Sequence, residues 1–209
     1  MTTKRLGMVI DTQRCIGCHT CAIACKAENN LPDGVWWNRV LTVGGDEMDT
    51  PAGTFPNVTM SFLTLACQHC ENPPCVKACP VGATYKREED GIVVQDYDKC
   101  IGCRYCVAAC PYTGVRQFNW ESPEYYQDFA VGDRDVPAHQ TGVVEKCTFC
   151  SHRLARGEEP ACVEVCPARA RAFGDLNDPE SPVSELLRTR SHFTLLPEKE
   201  TKPSVYFLS

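Results

Sequence analysis

The sequence lacks any long apolar segment. No stretch approaches the roughly 18 apolar residues that a membrane-spanning helix requires, so direct insertion into a membrane is not expected. The N-terminus has no apolar core of the kind found in secretory signal peptides, and Lys4-Arg5 is not a twin-arginine pair. These absences predict a chain that is soluble by itself and carries no export signal of its own.

The sequence also lacks the residue patterns of catalysis and any excess of positive charge. There is no Ser-His-Asp set, no phosphate-binding loop and no paired carboxylates, so we expect a chain that is not itself an enzyme. The formal net charge is −6. That charge argues against binding to nucleic acid or to anionic lipid, and it fits docking on a protein partner.

Cysteine, by contrast, is abundant and regularly spaced. The 16 cysteines form four quartets, which in chain order are Cys15-Cys18-Cys21-Cys25, Cys67-Cys70-Cys75-Cys79, Cys100-Cys103-Cys106-Cys110 and Cys147-Cys150-Cys162-Cys166. The first and third quartets follow C-x2-C-x2-C-x3-C, whereas the second widens one gap to x4 and the fourth widens it to x11. Proline follows the last cysteine of three quartets, as Pro80, Pro111 and Pro167.

This spacing is typical of bacterial ferredoxins. Three cysteines of a C-x2-C-x2-C loop hold one 4Fe-4S cluster, and the fourth cysteine reaches a neighbouring cluster. Sixteen thiolates would complete four clusters with none left over. Each oxidised cluster with its thiolates adds a charge of about −2, which would bring the net charge to about −14. The pattern predicts a protein that relays electrons.

Three other interpretations explain the cysteines less well. Zinc sites also use C-x2-C pairs, but rarely in four quartets of this signature. Small secreted scaffolds are rich in disulfides, but this chain is too long and its quartets are too regular. Buried, inert cysteine accounts for one or two positions and not for the whole set.

The segments between the quartets predict an α+β fold built from two bacterial-ferredoxin-like double-cubane modules related by pseudo-symmetry. Gly82–Lys86 and Asp90–Val94 are read as a β-hairpin with an acidic turn, and Met8–Ile10 and Arg171–Gly174 as strands. Hairpin or loop insertions and an extended C-terminal tail complete the chain. The expected boundaries are a first module of residues 1–26 and 143–174, an insertion of 27–59, a second module of 60–116, an insertion loop of 117–142 and a tail of 175–209.

Further expectations concern the insertions and the tail. Val58–Leu65 is rich in β-branched and aromatic residues, which predicts one strand. The insertion loop is expected to be ordered because its aromatic side chains need burial; these are Trp120, Tyr125, Tyr126 and Phe129. In the tail we expect a short helix near Pro182–Arg188 and an extended end at Val205–Leu208.

Five stretches carry a resemblance to a known family. They are Cys67–Cys75 (CQHCENPPC), Cys100–Cys106 (CIGCRYC), Lys146–Cys150 (KCTFC), Pro160–Pro167 (PACVEVCP) and Phe173–Pro179 (FGDLNDP). These stretches resemble the iron–sulfur B subunit of complex iron–sulfur molybdoenzymes, of the dimethyl sulfoxide, polysulfide, thiosulfate, tetrathionate and arsenate reductase type. The resemblance covers nearly the whole chain and is specific for the type of subunit rather than for the substrate.

The resemblance implies which cysteines share a cluster. Site 1 would be held by Cys15, Cys18, Cys21 and Cys166, and site 2 by Cys25, Cys147, Cys150 and Cys162. Site 3 would be held by Cys67, Cys70, Cys75 and Cys110, and site 4 by Cys79, Cys100, Cys103 and Cys106. Some relatives replace one cysteine of the third quartet by tryptophan and hold a 3Fe-4S cluster. Both Cys103 and Cys106 are present here, so four 4Fe-4S clusters are expected.

The resemblance also implies a non-catalytic electron-transfer subunit. It would relay electrons between a large molybdopterin catalytic subunit and a quinone-linked membrane anchor in an anaerobic respiratory oxidoreductase. The complex would be membrane-associated through these partners, either on the extracytoplasmic face by co-export with the catalytic subunit or on the cytoplasmic face. Two alternatives stay open: a free polyferredoxin shuttle, and the electron subunit of a soluble two-subunit molybdoenzyme.

Several residues near the cysteines have two possible roles. Five cations flank cluster cysteines and either tune a reduction potential or are plain surface charges; they are Lys26, Lys77, Lys99, Arg104 and Lys146. His69 is expected to form hydrogen bonds rather than bind iron, because its site already has four sulfurs. Four apolar residues are expected to pack around the clusters, namely Ile16, Ile101, Ala22 and Val107. The tryptophans belong either to a subunit interface or to a small core; they are Trp36, Trp37 and Trp120.

Overall fold

The computed structural model describes residues 4–209, which form a mixed α/β fold with few helices. The strands are β1 (Leu6–Asp11), β2 (Asn38–Val43), β3 (Ala52–Thr54), β4 (Asn57–Thr59), β5 (Ser61–Ala66), β6 (Thr84–Lys86), β7 (Val93–Gln95), β8 (Gln117–Phe118), β9 (Val144–Glu145), β10 (Arg171–Asp175), β11 (His192–Phe193) and β12 (Val205–Leu208). The helices are α1 (Thr20–Glu28), α2 (Pro74–Lys77), α3 (Tyr105–Ala108), α4 (Ser151–Ala155), α5 (Ala161–Glu164) and α6 (Pro182–Thr189), and a 3-10 turn covers Pro197–Lys199.

The largest sheet joins the two ends of the chain. Its four strands lie in the order β10-β1-β12-β11. β1 pairs with β10 in antiparallel fashion, with Met8 opposite Phe173, and with β12 in parallel fashion, with Met8 opposite Val205. Val9 points to the other face, where it packs against Val183 of α6. The predicted strands at Met8–Ile10 and Arg171–Gly174 are therefore confirmed as β1 and β10.

The predicted hairpin between the second and third quartets is also confirmed. β6 and β7 pair in antiparallel fashion, with Lys86 opposite Val93. Asp90 belongs to the turn, because its carboxylate accepts the backbone N–H of Ile92 at 3.0 Å and pairs with Arg87. The second strand consequently begins at Val93.

The prediction of one continuous strand over Val58–Leu65 is wrong. The chain forms two strands there, with β4 ending at Thr59, β5 beginning at Ser61, and Met60 between them. β4 pairs with β3, whereas β5 pairs with β2. β-branched residues favour an extended backbone at each position, but two different partner strands decide where each strand begins and ends.

The predicted C-terminal helix is confirmed as α6. The hydroxyl of Ser181 accepts the backbone N–H of Ser184 at 3.3 Å, and Pro182 occupies the first helical position. The extended end that follows is β12, which is paired on both sides, with β1 and with β11. The last strand therefore extends the sheet that contains the first strand.

The expectation that the aromatic residues of loop 117–142 are buried is wrong. Trp120 and Phe129 are each 67% exposed, and Tyr126 is 73% exposed. Hydrogen bonds attach the loop to the end of α1 instead; the backbone N–H of Asp133 donates to the carbonyl of Glu28 at 2.9 Å. The sequence pattern correctly predicted a structured loop but not the side on which its aromatic residues lie.

The buried apolar residues form several small clusters rather than one core. Three of these clusters include buried cysteines, namely Cys75 with Cys106, Cys25, and Cys70. The packing of these three clusters thus depends on the metal that the thiols bind. Across residues 4–209, every helix is too short or too polar to cross a membrane.

Candidate metal centres

All sixteen cysteines are free thiols, which argues against a disulfide framework. The quartets share a local design, in which short helices follow loops that carry the first cysteines. α2, α3 and α5 each contain the third cysteine of a quartet and end before the fourth. α1 is longer and contains both Cys21 and Cys25.

The loops of the first and third quartets have the same backbone conformation. Gly17 and Gly102 both adopt positive φ angles, of 69° and 67°, and so do His19 and Arg104, of 58° and 61°. A Cβ atom on Gly17 would lie 2.3 Å from the ring of Phe62, so only glycine fits this turn. The repeated C-I-G-C sequence therefore produces a repeated loop.

The site 2 cysteines surround one cavity, although they are far apart in sequence. The sulfur-bearing residues lining it include Cys25, Cys147, Cys150 and Cys162, together with Cys67 from the neighbouring site. The side-chain amide of Asn29 donates to the sulfur of Cys25 at 3.7 Å, and the backbone N–H of Phe149 donates to that of Cys147 at 3.4 Å. Burial, followed by the charge of Cys162, raises the pKa of Cys150 to about 12.

The site 1 cysteines line a second cavity. They are Cys15, Cys18, Cys21 and Cys166. The backbone N–H of Ala170 donates to the sulfur of Cys166 at 3.3 Å. Cys18 is exposed, and hydrogen bonds from the side chain and backbone of Thr20 hold the pKa of its thiol below the usual range.

The remaining two sets come from the second and third quartets. The site 4 cysteines line a third cavity; they are Cys79, Cys100, Cys103 and Cys106. Burial and then Cys67 raise the pKa of Cys70 to about 12, with further contributions from Cys75 and Cys110. Burial likewise raises the pKa of Cys110 to about 11, with contributions from Cys67 and Cys75. The site 3 cysteines thus lie close enough to influence one another.

The donor chemistry of these sets fits 4Fe-4S clusters. Each set brings together thiols with no disulfide partner, and backbone N–H groups point at several of the sulfurs. Thiolates packed this densely would repel one another in a buried space without bound metal. The assignment of ligands to clusters that the resemblance implied stays a prediction. Four sulfurs would also suit zinc, so the identity of the metal depends on the family.

Among the five flanking cations, burial distinguishes one. Lys146 is 1% exposed, whereas Lys77, Lys99 and Arg104 are exposed and Lys26 is half-buried. Sequence reasoning missed two further buried cations, Arg116 and Arg171. Their signal was the spacing to the last cysteine of a quartet: Arg116 follows Cys110 by six residues, and Arg171 follows Cys166 by five.

The hydrogen bond expected of His69 is confirmed. It is buried, its Nδ1 accepts the backbone N–H of Val93 at 3.2 Å, and its ring stacks on Phe149 at 3.8 Å. Burial, with the nearby charge of Lys146, holds the pKa of His69 well below its usual range, so the imidazole is neutral at physiological pH.

Apolar residues near the clusters divide between core and surface. Trp37 is buried, whereas Trp120 is exposed and has Arg104 stacked 4.5 Å above its ring. Ile16 lines the cavity of site 1 and Ile101 lines that of site 4, as expected. Both side chains are also largely open to solvent, at 62% and 63% exposed.

Comparison with known proteins extends over nearly the whole chain. A family model described as a 4Fe-4S dicluster domain matches residues 58–126 and 135–176, and a 4Fe-4S binding domain matches residues 6–27. The chain is 56% identical to a protein of Halobacterium salinarum described as the iron–sulfur B subunit of a dimethyl sulfoxide reductase, over 97% of this chain and 78% of the relative.

Two further relatives have other substrates in their names. The B subunit of the selenate reductase of Mesobacillus selenatarsenatis is 46% identical over 97% of this chain and 71% of the relative. The iron–sulfur subunit of the arsenate respiratory reductase of a Shewanella species is 40% identical over 98% of this chain and 96% of the relative. Together with the free cysteine quartets, these matches show that the chain belongs to the 4Fe-4S dicluster family of reductase iron–sulfur B subunits, which transfer electrons and are not catalytic.

Proposed function

We propose that this chain holds four 4Fe-4S clusters and relays electrons between a molybdopterin catalytic subunit and a quinone-linked membrane anchor. The observation that supports the proposal is that the free thiols proposed for sites 1, 2 and 4 each line one cavity, and that those proposed for site 3 influence the pKa values of Cys70 and Cys110. When bound, such clusters supply one-electron redox chemistry. The proposed ligands are the cysteines of sites 1 to 4 as defined above.

Contacts between the sets support an order of sites from 1 to 4. One guanidinium, that of Arg171, lies against Cys21 of site 1 and Cys162 of site 2. Cys67 of site 3 is near enough to Cys147 of site 2 to raise its pKa, after the larger effect of burial. Cys75 of site 3 is likewise near enough to Cys106 of site 4 to raise the pKa of Cys106, after the larger effect of burial. Site 1 is therefore next to site 2, site 2 is next to site 3, and site 3 is next to site 4.

The two ends of this order reach the surface. Cys18 of site 1 and Cys103 of site 4 are exposed, whereas the cysteines of sites 2 and 3 are buried or half-buried. Exposed Ile16 and Ile101 lie beside those two cysteines. Electrons would enter and leave at these two ends, and the protein around sites 2 and 3 would keep solvent away from the interior of the relay.

The two-module organisation is part of the proposal. Residues 1–26 and 143–174 contribute sites 1 and 2, and residues 60–116 contribute sites 3 and 4, with 27–59 and 117–142 as insertions and 175–209 as a tail. The matching loop conformations at Gly17 and Gly102 support a pseudo-symmetric relation between the modules. The pairing of β12 with β1 attaches the tail to the first module.

An apolar groove supports a permanent partner for the first module. It lies between α1 and loop 117–142 and has a volume of about 380 Å3. Its lining includes Ile23, Trp36, Tyr125, Phe129 and Val131. Exposed aromatic residues in one patch are typical of protein interfaces. Because α1 also carries Cys21, we assign this groove to an apolar segment of the catalytic subunit, which would thereby approach site 1.

The membrane anchor would then meet the opposite end of the relay, at site 4. There Trp120 is exposed beside Arg104, which follows Cys103 in sequence. The relatives with the reductase names are B subunits, which implies a multi-subunit complex. We propose that this complex is membrane-associated through the anchor, on either face of the membrane.

Anaerobic purification of the native protein tests the proposal. We expect about sixteen iron atoms per chain, four per cluster, and co-purification with a large molybdopterin subunit. Solubilisation of the complex from membranes by detergent distinguishes an anchored complex from a soluble two-subunit enzyme. A fully loaded monomer that binds no large subunit would support a diffusible polyferredoxin instead, and a colourless zinc protein would contradict both interpretations.

A further inference from the structure

A buried arginine lies between sites 1 and 2. Arg171 is 8% exposed, and its two terminal nitrogens donate to the sulfur of Cys21 at 3.3 Å and to that of Cys162 at 3.6 Å. The side-chain carbonyl of Asn38 accepts a further hydrogen bond at 3.3 Å. Burial disfavours the charged guanidinium, but the thiolates of Cys162 and Cys21 outweigh it and raise the pKa of Arg171.

A second buried arginine lies between sites 3 and 4. Arg116 is 4% exposed and donates to Gln95 at 3.3 Å and to the hydroxyl of Thr84 at 3.5 Å. Burial disfavours its charge, but Cys75 of site 3 and Cys106 of site 4 raise its pKa. The guanidinium also forms a side-chain hydrogen bond with Cys75 of site 3.

The middle gap holds a buried lysine. Lys146 is 1% exposed, and its ammonium group donates to the backbone carbonyl of Val93 and, at 2.9 Å, to that of Cys147. Burial lowers its pKa, and the thiolate of Cys67 acts in the opposite direction, followed by that of Cys147. These two cysteines belong to sites 3 and 2, so the charge of Lys146 lies between the middle pair of sites.

We propose that each of the three gaps along the relay contains one buried cation, supplied in order by Arg171, Lys146 and Arg116, and that each cation raises the reduction potentials of the two clusters beside it. The inference rests on the proposed ligand sets. Reduction adds a negative charge to a cluster, and a nearby positive charge in a poorly polarisable interior stabilises that charge far more than an exposed cation does. A cation shared by two clusters also offsets the repulsion between them when both are reduced.

Burial distinguishes these three residues from an exposed cation near the cysteines, Lys99. Lys99 precedes Cys100 as Lys146 precedes Cys147, but Lys99 is exposed and pairs with Asp96 at 2.8 Å. Its charge is already neutralised by a partner and screened by water. Lys99 is therefore the matched control for Lys146: it has the same position in sequence and a different position in the fold.

Redox-poised EPR of the purified complex tests the proposal. Arg171→Gln, Lys146→Met and Arg116→Gln each remove one charge, whereas Arg171→Lys and Arg116→Lys keep it. Each neutral variant should make reduction of the two flanking clusters about tenfold less favourable, a downward shift of about 59 mV for a one-electron couple, with the other two potentials unchanged. The charge-keeping variants and Lys99→Met should keep all four potentials close to those of the parent.

Iron content separates failure of this inference from failure of the proposed function. A parent complex with fewer than four clusters contradicts the proposed function, whatever the variants show. A neutral variant that retains all four clusters with unchanged potentials overturns the inference, and so does a shift of equal size in Lys99→Met. If Arg171→Gln and Arg116→Gln lose iron, Lys146→Met decides alone, because methionine preserves the length of the buried side chain. If Lys146→Met loses iron as well, the salt dependence of the parent potentials decides, because buried cations predict values that change little with ionic strength.

Discussion

The Nδ1 atom of His139 lies 2.7 Å from Oε1 of Glu145, and both side chains are almost fully buried. The Nε2 atom of the same imidazole lies 2.9 Å from the carbonyl oxygen of Asn29. A carbonyl and a carboxylate both only accept hydrogen bonds, so both ring nitrogens donate and His139 is a cation. Asn29 in turn donates to the sulfur of Cys25, which connects the insertion loop to site 2.

Replacement of His139 should destabilise the protein. His139→Ala leaves the carboxylate of Glu145 buried without its charged partner, a change that typically costs about 3 kcal/mol or more. We expect a clear decrease in the temperature at which the loaded protein loses its cluster absorbance. His192→Ala is the control, because His192 is exposed and bonds locally to the carbonyl of Arg190. Equal melting temperatures for the two variants would show that the buried pair does not stabilise the fold.

The same pair predicts a pH dependence of stability. Burial disfavours the charged imidazole, but pairing with Glu145 outweighs burial and raises the pKa of His139. Its contribution to stability is therefore complete below the unfolded-state pKa of about 6.5 and is lost as the pH rises through the higher folded-state value. The difference in melting temperature between wild type and His139→Ala should be largest near pH 6 and decrease at higher pH. A difference that grows with pH would contradict the assignment.

The exchange of cysteines between quartets can be tested with two neighbouring substitutions. Cys166→Ser should damage site 1, where Cys166 lines the same cavity as Cys15, Cys18 and Cys21. Cys162→Ser, four residues earlier in the same quartet, should damage site 2 instead. EPR spectra at controlled potentials identify which cluster signal each variant loses. Loss of the same signal in both variants would mean that the quartet binds one cluster without exchange.

The groove beside α1 can be tested with one aromatic residue. Phe129→Ser removes an exposed ring from the groove, and we expect at least a tenfold weaker association with the catalytic subunit, which is typical of an interface hot spot. The matched control is Phe55→Ser, since Phe55 is 87% exposed and lies outside the groove. Both variants should retain about sixteen iron atoms per chain. Unchanged affinity in Phe129→Ser would remove the groove from the proposed interface.

Removal of iron should unfold much of the chain. Buried cysteines belong to three of the small apolar clusters. Removal of the iron that holds these cysteines together should therefore disrupt the packing of those clusters. We expect chelation under anaerobic conditions to reduce the far-ultraviolet circular dichroism signal and to expose the chain to protease. An iron-free chain with an unchanged spectrum and unchanged resistance to protease would indicate a core that is stable on its own.

The local features of this protein could be predicted from its sequence. The spacing of the cysteines limits how far each sulfur can reach, so the quartets predicted the type of cofactor, whereas the exchange of cysteines between sites stays a prediction. β1, β10, the β6–β7 hairpin and α6 were predicted because alternation, turn residues and capping residues act over a few positions. The sequence was sufficient to predict features that depend on residues only a few positions apart.

Burial and pairing between distant segments were decided only by the tertiary structure. Lys99 and Lys146 both precede a cysteine, yet Lys99 is exposed and Lys146 is buried. Arg116 and Arg171 follow the last cysteine of a quartet by six and five residues, but this spacing does not show that they are buried, because the cysteines beside them come from separate quartets. The strand break at Met60 likewise follows from which segment pairs with which partner. The sequence by itself thus determined which ligands the chain offers and how they are spaced. The folded chain decided which charged side chains are buried, because burial depends on surfaces contributed by residues far apart in sequence.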